Sequence, residues 1–289
     1  MKASDVGRRD LATLFNRVKL APDARLGFSV PGKSAQLMSI RPNRVFELVR
    51  AILRWALAQG ILLADPTSGM KRPVTREAPR ERTLTTVEIA VFWHSVELLP
   101  TAPGMRLAMK LALVTGQRIG EVTGIARHDL QLDGDAPVWV IPSAKTKNGE
   151  GHRVPLSPLA QSIINDALVL ASQQLPLTPW LFPAPRSNAK GERGSMTAHA
   201  ASVALAQGLD KLGVERFRIH DLRRTAATRM AELGVSSHAI GMVLNHVGTR
   251  KSTITGRVYV QYSFDHEKRE ALNAWSIRLG EIIGDGQRV

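Results

Sequence analysis

The sequence predicts a mainly α protein with a small antiparallel β-sheet, α+β in layer terms, divided into domains at 1–82 and 83–289. Three observations predict it. Apolar residues recur at helical spacing along much of the chain, with capping residues before several runs and glycine after them. Two short β-like runs, Val138–Pro142 and Arg153–Leu156, flank an Asn148-Gly149 pair, a strong hairpin signal. The segment Lys71–Arg82, rich in proline and charge, resists both helix and burial and reads as an interdomain strap.

In the first domain Val45, Leu48, Val49, Ile52, Leu53 and Ala56 repeat at helical spacing and are expected to form the apolar face of a helix that Gly60 stops. Arg44, Arg50 and Arg54 fall on its other faces. After the strap, Thr85-Thr-Val-Glu88 has capping-box spacing and opens a helix through about Leu99. Met105–Thr115 is the next helix, ended by Gly116, and Arg118 begins the following turn. The hairpin then presents Lys147 at its tip. Ser157-Pro158 starts a helix reaching about Gln174, and Pro183–Ser195 is a surface loop without visible chemistry. Helices follow at about Thr197–Leu212, His220–Leu233 closed by Gly234, and Ser237–Asn245. The stretch Gly248–Gly256 is expected to be mobile, and Asp265–Ile283 forms a last amphipathic helix. No internal repeat is found.

Composition narrows the function classes. The formal net charge is +14 and the sequence pI near 10.8, which favours a polyanionic partner, nucleic acid ahead of an acidic membrane. Residues 1–82 hold 16 Lys and Arg against 7 Asp and Glu, and residues 83–289 hold 23 against 18, so the shorter part is more basic per residue. That is expected of a segment that grips phosphates. With no cysteine, disulfides and thiolate metal sites are excluded. No apolar run is long enough for a membrane span, and Met1–Arg9 lacks the core of a secretory signal.

The candidate chemistry lies in four stretches and one tyrosine: Thr115–Glu121, Lys145–Gly149, His220–Thr225, Leu244–His246 and Tyr259. His220 and Arg223, three apart, share a helical face. Alone, this is also what a capped helix N-terminus with solvated arginines looks like. Arg118 has Glu121 one turn on, close enough to hold its guanidinium, and a planar fork matches two phosphate oxygens better than an ammonium does. Taken alone, that pair is also an ordinary structural ion pair. Lys147 is either a solvated turn lysine or a proton donor to a leaving alkoxide, with Lys145 as the competing donor. Tyr259 is a reasonable covalent nucleophile only where surrounding cations stabilise its anion, and otherwise Tyr259 and Tyr262 are ordinary aromatics.

Together these stretches resemble the tyrosine recombinases of the phage integrase family, of the type carried by prophages and genomic islands. Thr115–Glu121 is similar to the family's first arginine box, His220–Thr225 to its His-x-x-Arg box, and Leu244-Asn-His246 to the second histidine box. Lys147, eight residues before Pro155, resembles the hairpin lysine, and Tyr259 is placed like the nucleophile. The resemblance covers about Ser39 to Trp275 and implies a catalytic domain preceded by a helical core-type DNA-binding domain, here partial, since only its later helices are legible. It implies that Tyr259 attacks a DNA phosphate to give a 3′-phosphotyrosyl bond. Arg118, Arg223 and His246 hold the phosphate oxygens, His220 assists proton transfer and Lys147 protonates the leaving 5′-hydroxyl.

The resemblance also implies no metal or other cofactor, a cytoplasmic, nucleoid-associated protein, and double-stranded attachment sites exchanged within a homotetramer. A host DNA-bending factor or excisionase joins as a further partner, and the C-terminal helix docks on a neighbouring protomer. The phosphate-gripping cations are expected to be Arg44, Arg50, Arg54, Lys71, Arg72, Lys145 and Arg224. Two departures from the pattern keep alternatives open. The interval from His246 to Tyr259 is long, which leaves Tyr262 as a second candidate nucleophile. The incomplete N-terminal domain leaves a catalytically incomplete DNA-binding remnant or accessory protein as a second reading, with a type IB topoisomerase below it.

Overall fold

A computed structural model describes residues 5–20, 41–75, 81–146, 149–173, 178–246 and 263–285. The chain divides into two compact units, Met1–Glu81 and Arg82–Val289. Among the described residues no helix is long and apolar enough to cross a membrane.

In the first unit α1 (Arg8–Leu20) packs against α2 (Arg41–Ala58) through Leu11, Phe15, Phe46, Leu53 and Ala56, with the Phe15 and Phe46 rings edge to face at 5.2 Å. Helix α1 has no counterpart in the sequence reading. The expected buried face of α2 is also corrected. At 100° per residue Phe46, Val49, Leu53 and Ala56 form the stripe that α1 covers, whereas Leu48 and Ile52 lie beside it and are 62% and 55% exposed. At the start of the strap Lys71 and Arg72 are exposed, but Val74 is buried. Asn43 donates to Val74 O and accepts from Val74 N, both at 2.8 Å, and draws Val74 into this unit.

The second unit opens at Arg82, whose guanidinium makes a twofold contact with Glu88. Glu88 also accepts from Thr85 N at 2.9 Å while Thr85 Oγ1 accepts from Glu88 N at 3.2 Å, which completes the capping box of α3 (Thr86–Ser95). The hydrogen-bonded Arg82 guanidinium holds the Glu88 carboxyl down at about 2. A 3₁₀ turn, Val96–Leu98, leads towards α4 (Pro103–Thr115), the central helix of the unit, buried on nearly every side. Helix α5 (Ile119–Thr123) and strands β1 (Leu130–Gln131), β2 (Val138–Ile141) and β3 (His152–Pro155) follow. The strands form one antiparallel sheet in the order β1-β2-β3, with Trp139 opposite Val154 and Ile141 opposite His152. Strand β1, two residues long, is too short to leave a period in the sequence.

The unit is completed by α6 (Pro158–Ser172), α7 (Ala198–Leu212), α8 (Ile219–Glu232), α9 (Ser237–Val243) and α10 (Asp265–Asp285). Ser157, Thr197 and Ser236 cap α6, α7 and α9 by accepting from the backbone N–H three residues on. Helix α10 is built into its own unit. Its stripe of Ala271, Leu272, Trp275, Leu279 and Ile282 joins the main core, and Trp275 Nε1 donates to Leu113 O of α4 at 3.0 Å. An indole buried this deeply needs that partner. The expected mainly α fold with a small antiparallel sheet is the fold observed.

Helix α7 lies so close to the chain after α3 that only glycine fits at one point. A Cβ at Gly208 would stand 2.8 Å from Pro100 Cδ and closer still to Leu99 Cδ2. Gly208→Ala gains about 0.5–1 kcal/mol of helix propensity, but overpacking against a fixed proline ring costs about 1–3 kcal/mol. A net loss of stability is expected, measured as a lower denaturation midpoint at unchanged m-value.

Candidate active site

The end of α4 sets the first arginine. Gly116 adopts φ +66°, and the chain turns so that Gln117 is buried and Arg118 becomes the N-cap of α5. Glu121, one turn into α5, accepts from Arg118 Nη1 at 2.8 Å through one carboxylate oxygen and from Arg118 N at 3.1 Å through the other. The carboxylate therefore fixes both ends of the residue, while part of the guanidinium remains open to solvent.

Helix α8 supplies the second. Asp221, buried at its first turn, accepts from Arg218 N at 2.8 Å, so the acidic member of His220-Asp221 caps the helix and leaves the imidazole free of that task. Arg223 is only 5% exposed. Its Nη1 donates to Gly116 O at 2.9 Å and its Nη2 to Leu244 O, which ties the α4–α5 turn to the end of α9. Burial, and then the neighbouring charge of Arg118, push the Arg223 pKa down to about 10, against the opposing pull of Glu121. It stays charged at neutral pH.

Helix α9 delivers the second histidine. After Val243 the chain passes through Leu244 and then Asn245, which sits at φ +49°, and His246 N donates back to Gly241 O at 2.9 Å. His246 and His220 are both solvent-accessible, yet partial desolvation lowers each imidazole below the ordinary 6.5. Arg223 adds to this at both, with smaller contributions from Arg118. Four groups from three separate boxes thus act on one another electrostatically. Arg118, His220 and Arg223 line an open cleft of about 420 Å³ with Gln117, Glu121 and Lys145.

The remaining expected residues are distributed as follows. Lys145 reaches Asp129 at 2.6 Å and lies 5.4 Å from the Trp180 ring centroid, at the edge of the same cleft. Arg224 is half-exposed beside Asp221 at 3.8 Å. In the first unit Arg44 and Arg72 both pair with Glu47 at 2.9 Å, Arg54 pairs with Asp65 at 3.5 Å, Arg50 lies over the Phe46 ring, and Lys71 is exposed. Lys147, Tyr259, Tyr262 and the stretch Gly248–Gly256 lie outside the described residues. No group of three His, Cys, Asp or Glu among the described residues is arranged to hold a metal ion. Sequence reasoning missed Gln117 and His152, both buried and both bonded to the carbonyl of Val243. Gln117 stood inside a box and His152 beside the hairpin, but neither bond crosses a distance that spacing can reveal.

Residues 82–266 match the model of the phage integrase family. The chain is 25% identical to the tyrosine recombinase XerC of Yersinia pestis over 75% of its own length and 67% of that protein's. It is 31% identical to the integrase of Escherichia phage HK022, over 44% of this chain but only 30% of the phage protein. Its fold resembles a lambda integrase tetramer bound to a Holliday junction, with a TM-score of 0.59 at 17% identity, covering 86% of this chain and 66% of that one.

The lowered histidines carry a pH signature. Unfolded imidazoles take up protons near 6.5, whereas folded His220 and His246 resist until lower pH, so the unfolded state binds more protons in that window. Their contribution to stability is whole above 6.5 and falls as the pH drops towards the folded values. The double variant His220→Gln, His246→Gln is expected to lose less stability than wild type between pH 6.5 and about 5, measured as denaturation midpoint against pH.

Proposed function

Because this chain belongs to the phage integrase family, we propose that it is a site-specific tyrosine recombinase that cuts and rejoins duplex DNA to integrate or excise a mobile element. The observation that carries the proposal is the convergence of Arg118, Arg223, His220 and His246, whose charge and hydrogen-bonding capacity suit one tetrahedral anion. Glu121 orients Arg118, and the main chain orients Arg223. The donors are in place before charge develops, the condition under which electrostatic stabilisation is most effective.

In the proposed reaction the phenolic oxygen of Tyr259 attacks the phosphorus and the bond to the 5′ oxygen breaks. A 3′-phosphotyrosyl ester forms, and the 5′-hydroxyl leaves with a proton from Lys147. Arg118, Arg223 and His246 bind the non-bridging oxygens while His220 assists removal of the phenol proton. The 5′-hydroxyl of a partner strand then attacks the phosphotyrosine and releases Tyr259. One phosphodiester replaces another, so bond energy is conserved.

The unit Met1–Glu81 is proposed to act as a core-type DNA-binding domain, gripping phosphates through Arg44, Arg50, Arg54, Lys71 and Arg72, with Lys145 and Arg224 adding contacts near the cleft. Phosphates would compete with Glu47 and Asp65 for these arginines, so binding should be salt-sensitive. Exchange is proposed to run in a tetramer of this chain on the nucleoid, with a host DNA-bending factor or excisionase as a further partner. A tetrameric arrangement is supported by the lambda integrase complex to which the fold is similar.

Nicked duplexes drawn from the junctions of the element that carries the gene test this reading. An SDS-resistant protein–DNA adduct is expected with wild type and Tyr262→Phe and not with Tyr259→Phe, which should still bind DNA. An adduct that persists in Tyr259→Phe overturns the assignment of the nucleophile, and absence of any adduct with bound wild type overturns the activity. Arg118→Ala is expected to slow adduct formation by about 10²–10³ without loss of fold, since among the described residues its guanidinium is bonded to Glu121 alone. Arg223→Ala should also lower thermal stability, because it removes two buried main-chain bonds.

A further inference from the structure

A helix C-terminus leaves its last carbonyls without intrahelical partners, and at α9 every one of them can be followed to a donor. Ile240 O accepts from Leu244 N at 2.9 Å, Gly241 O from His246 N at 2.9 Å and Met242 O from Asn245 N at 3.2 Å. The next two carbonyls are served by side chains from elsewhere. Leu244 O takes Arg223 Nη2 from α8. Val243 O takes two donors, Gln117 Nε2 from the α4–α5 turn at 2.8 Å and His152 Nε2 from β3 at 3.0 Å. Since a carbonyl only accepts, His152 must carry its proton on Nε2.

We propose that His152 is a positioning residue for His246: its buried Nε2–H, donated from β3 to the carbonyl of Val243, fixes the end of α9 that carries the exposed His246 within electrostatic reach of Arg118, Arg223 and His220. The inference rests on the recombinase reading for its functional consequence. Its structural content stands on the bond itself.

Three features make this more than packing. His152 is 4% exposed, and its place in β3 is locked by pairing with Ile141, so its ring reaches α9 from a rigid sheet. Only Leu244 and Asn245 separate the bonded carbonyl from His246, and Asn245 sits at positive φ, so rotation of the Val243 peptide passes directly into the direction of the imidazole. Val243 O also has a second donor in Gln117. Loss of His152 therefore leaves the carbonyl bonded but pulled from one side, which affects orientation more than stability. Displacement of a positioned group by a fraction of an ångström is enough to slow a reaction strongly.

The test compares His152→Leu, which fills the space without a donor, with His152→Gln, whose amide N–H reaches about as far as Nε2. Ring ¹⁵N spectra of the DNA-free protein report the titration of His220 and His246 separately. In His152→Leu the His246 ring signals and titration are expected to move towards those of an unperturbed imidazole while His220 is unchanged, and His152→Gln should restore them. On DNA, single-turnover adduct formation at saturating substrate should fall about 10-fold or more in His152→Leu at unchanged DNA affinity, and recover in His152→Gln. A His246 ring unaltered in His152→Leu overturns the proposal, as does equal impairment in both variants. Failure of both His152→Leu and His152→Ala to fold also overturns it, by assigning His152 to stability. If wild type forms no adduct on any substrate, the recombinase reading fails, while the ring spectra still decide whether His152 positions His246.

Discussion

The second unit is organised around one buried cation. Arg223 spends two of its five N–H donors on main-chain carbonyls, Gly116 O and Leu244 O, and these belong to the turns that carry Arg118 and His246. A lysine, with a single nitrogen, cannot span two carbonyls in fixed geometry while still presenting donors to a ligand. The guanidinium is thus both the brace that holds two turns against α8 and part of what the cleft presents. Desolvation lowers its pKa to about 10, a shift too small to discharge it.

The electrostatics around Arg223 follow from that choice. Arg118 and Arg223 repel each other and, with desolvation, disfavour protonation of His220 and His246, and Glu121, already committed to Arg118, is the carboxylate among the cleft-lining residues. Such an arrangement is held in place by the surrounding fold and is relieved by an anion. Asp221 is turned inward to cap α8, and its charge only partly offsets burial and the arginines at His220. Glu88 and Asp129 are likewise committed, to Arg82 and Lys145. These four carboxylates secure structure and leave the cleft electropositive, as the chemistry of a phosphodiester requires.

The scaffold is rigid where the site needs it. Helix α4 is enclosed by the core and ends at Gly116, where a Cβ would stand 3.4 Å from Leu244 Cδ2 and 3.6 Å from Ala226 Cβ. The residue that permits the turn also permits α8 and the end of α9 to close on it. Helix α10 packs over α3, α4 and β3, and Lys268 reaches Arg153 O at 2.7 Å, so the sheet bearing His152 is held from outside as well.

Much of this was legible in the sequence because the signals are local. The capping box at Thr85–Glu88, the stop at Gly116, the one-turn spacing of Arg118 to Glu121 and the shared face of His220 and Arg223 all depend on residues within a few positions of each other. The boxes, in order, identified the family. What only the tertiary structure decided lies between distant residues. It set which stripe of α2 is covered, so that Leu48 and Ile52 face outward, and it placed α10 in its own core. It also joined Gln117 and His152 to Val243 O across separations of 126 and 91 residues. Backbone periodicity fixes which face a side chain occupies, but a bond between two elements exists only once packing has chosen their neighbours.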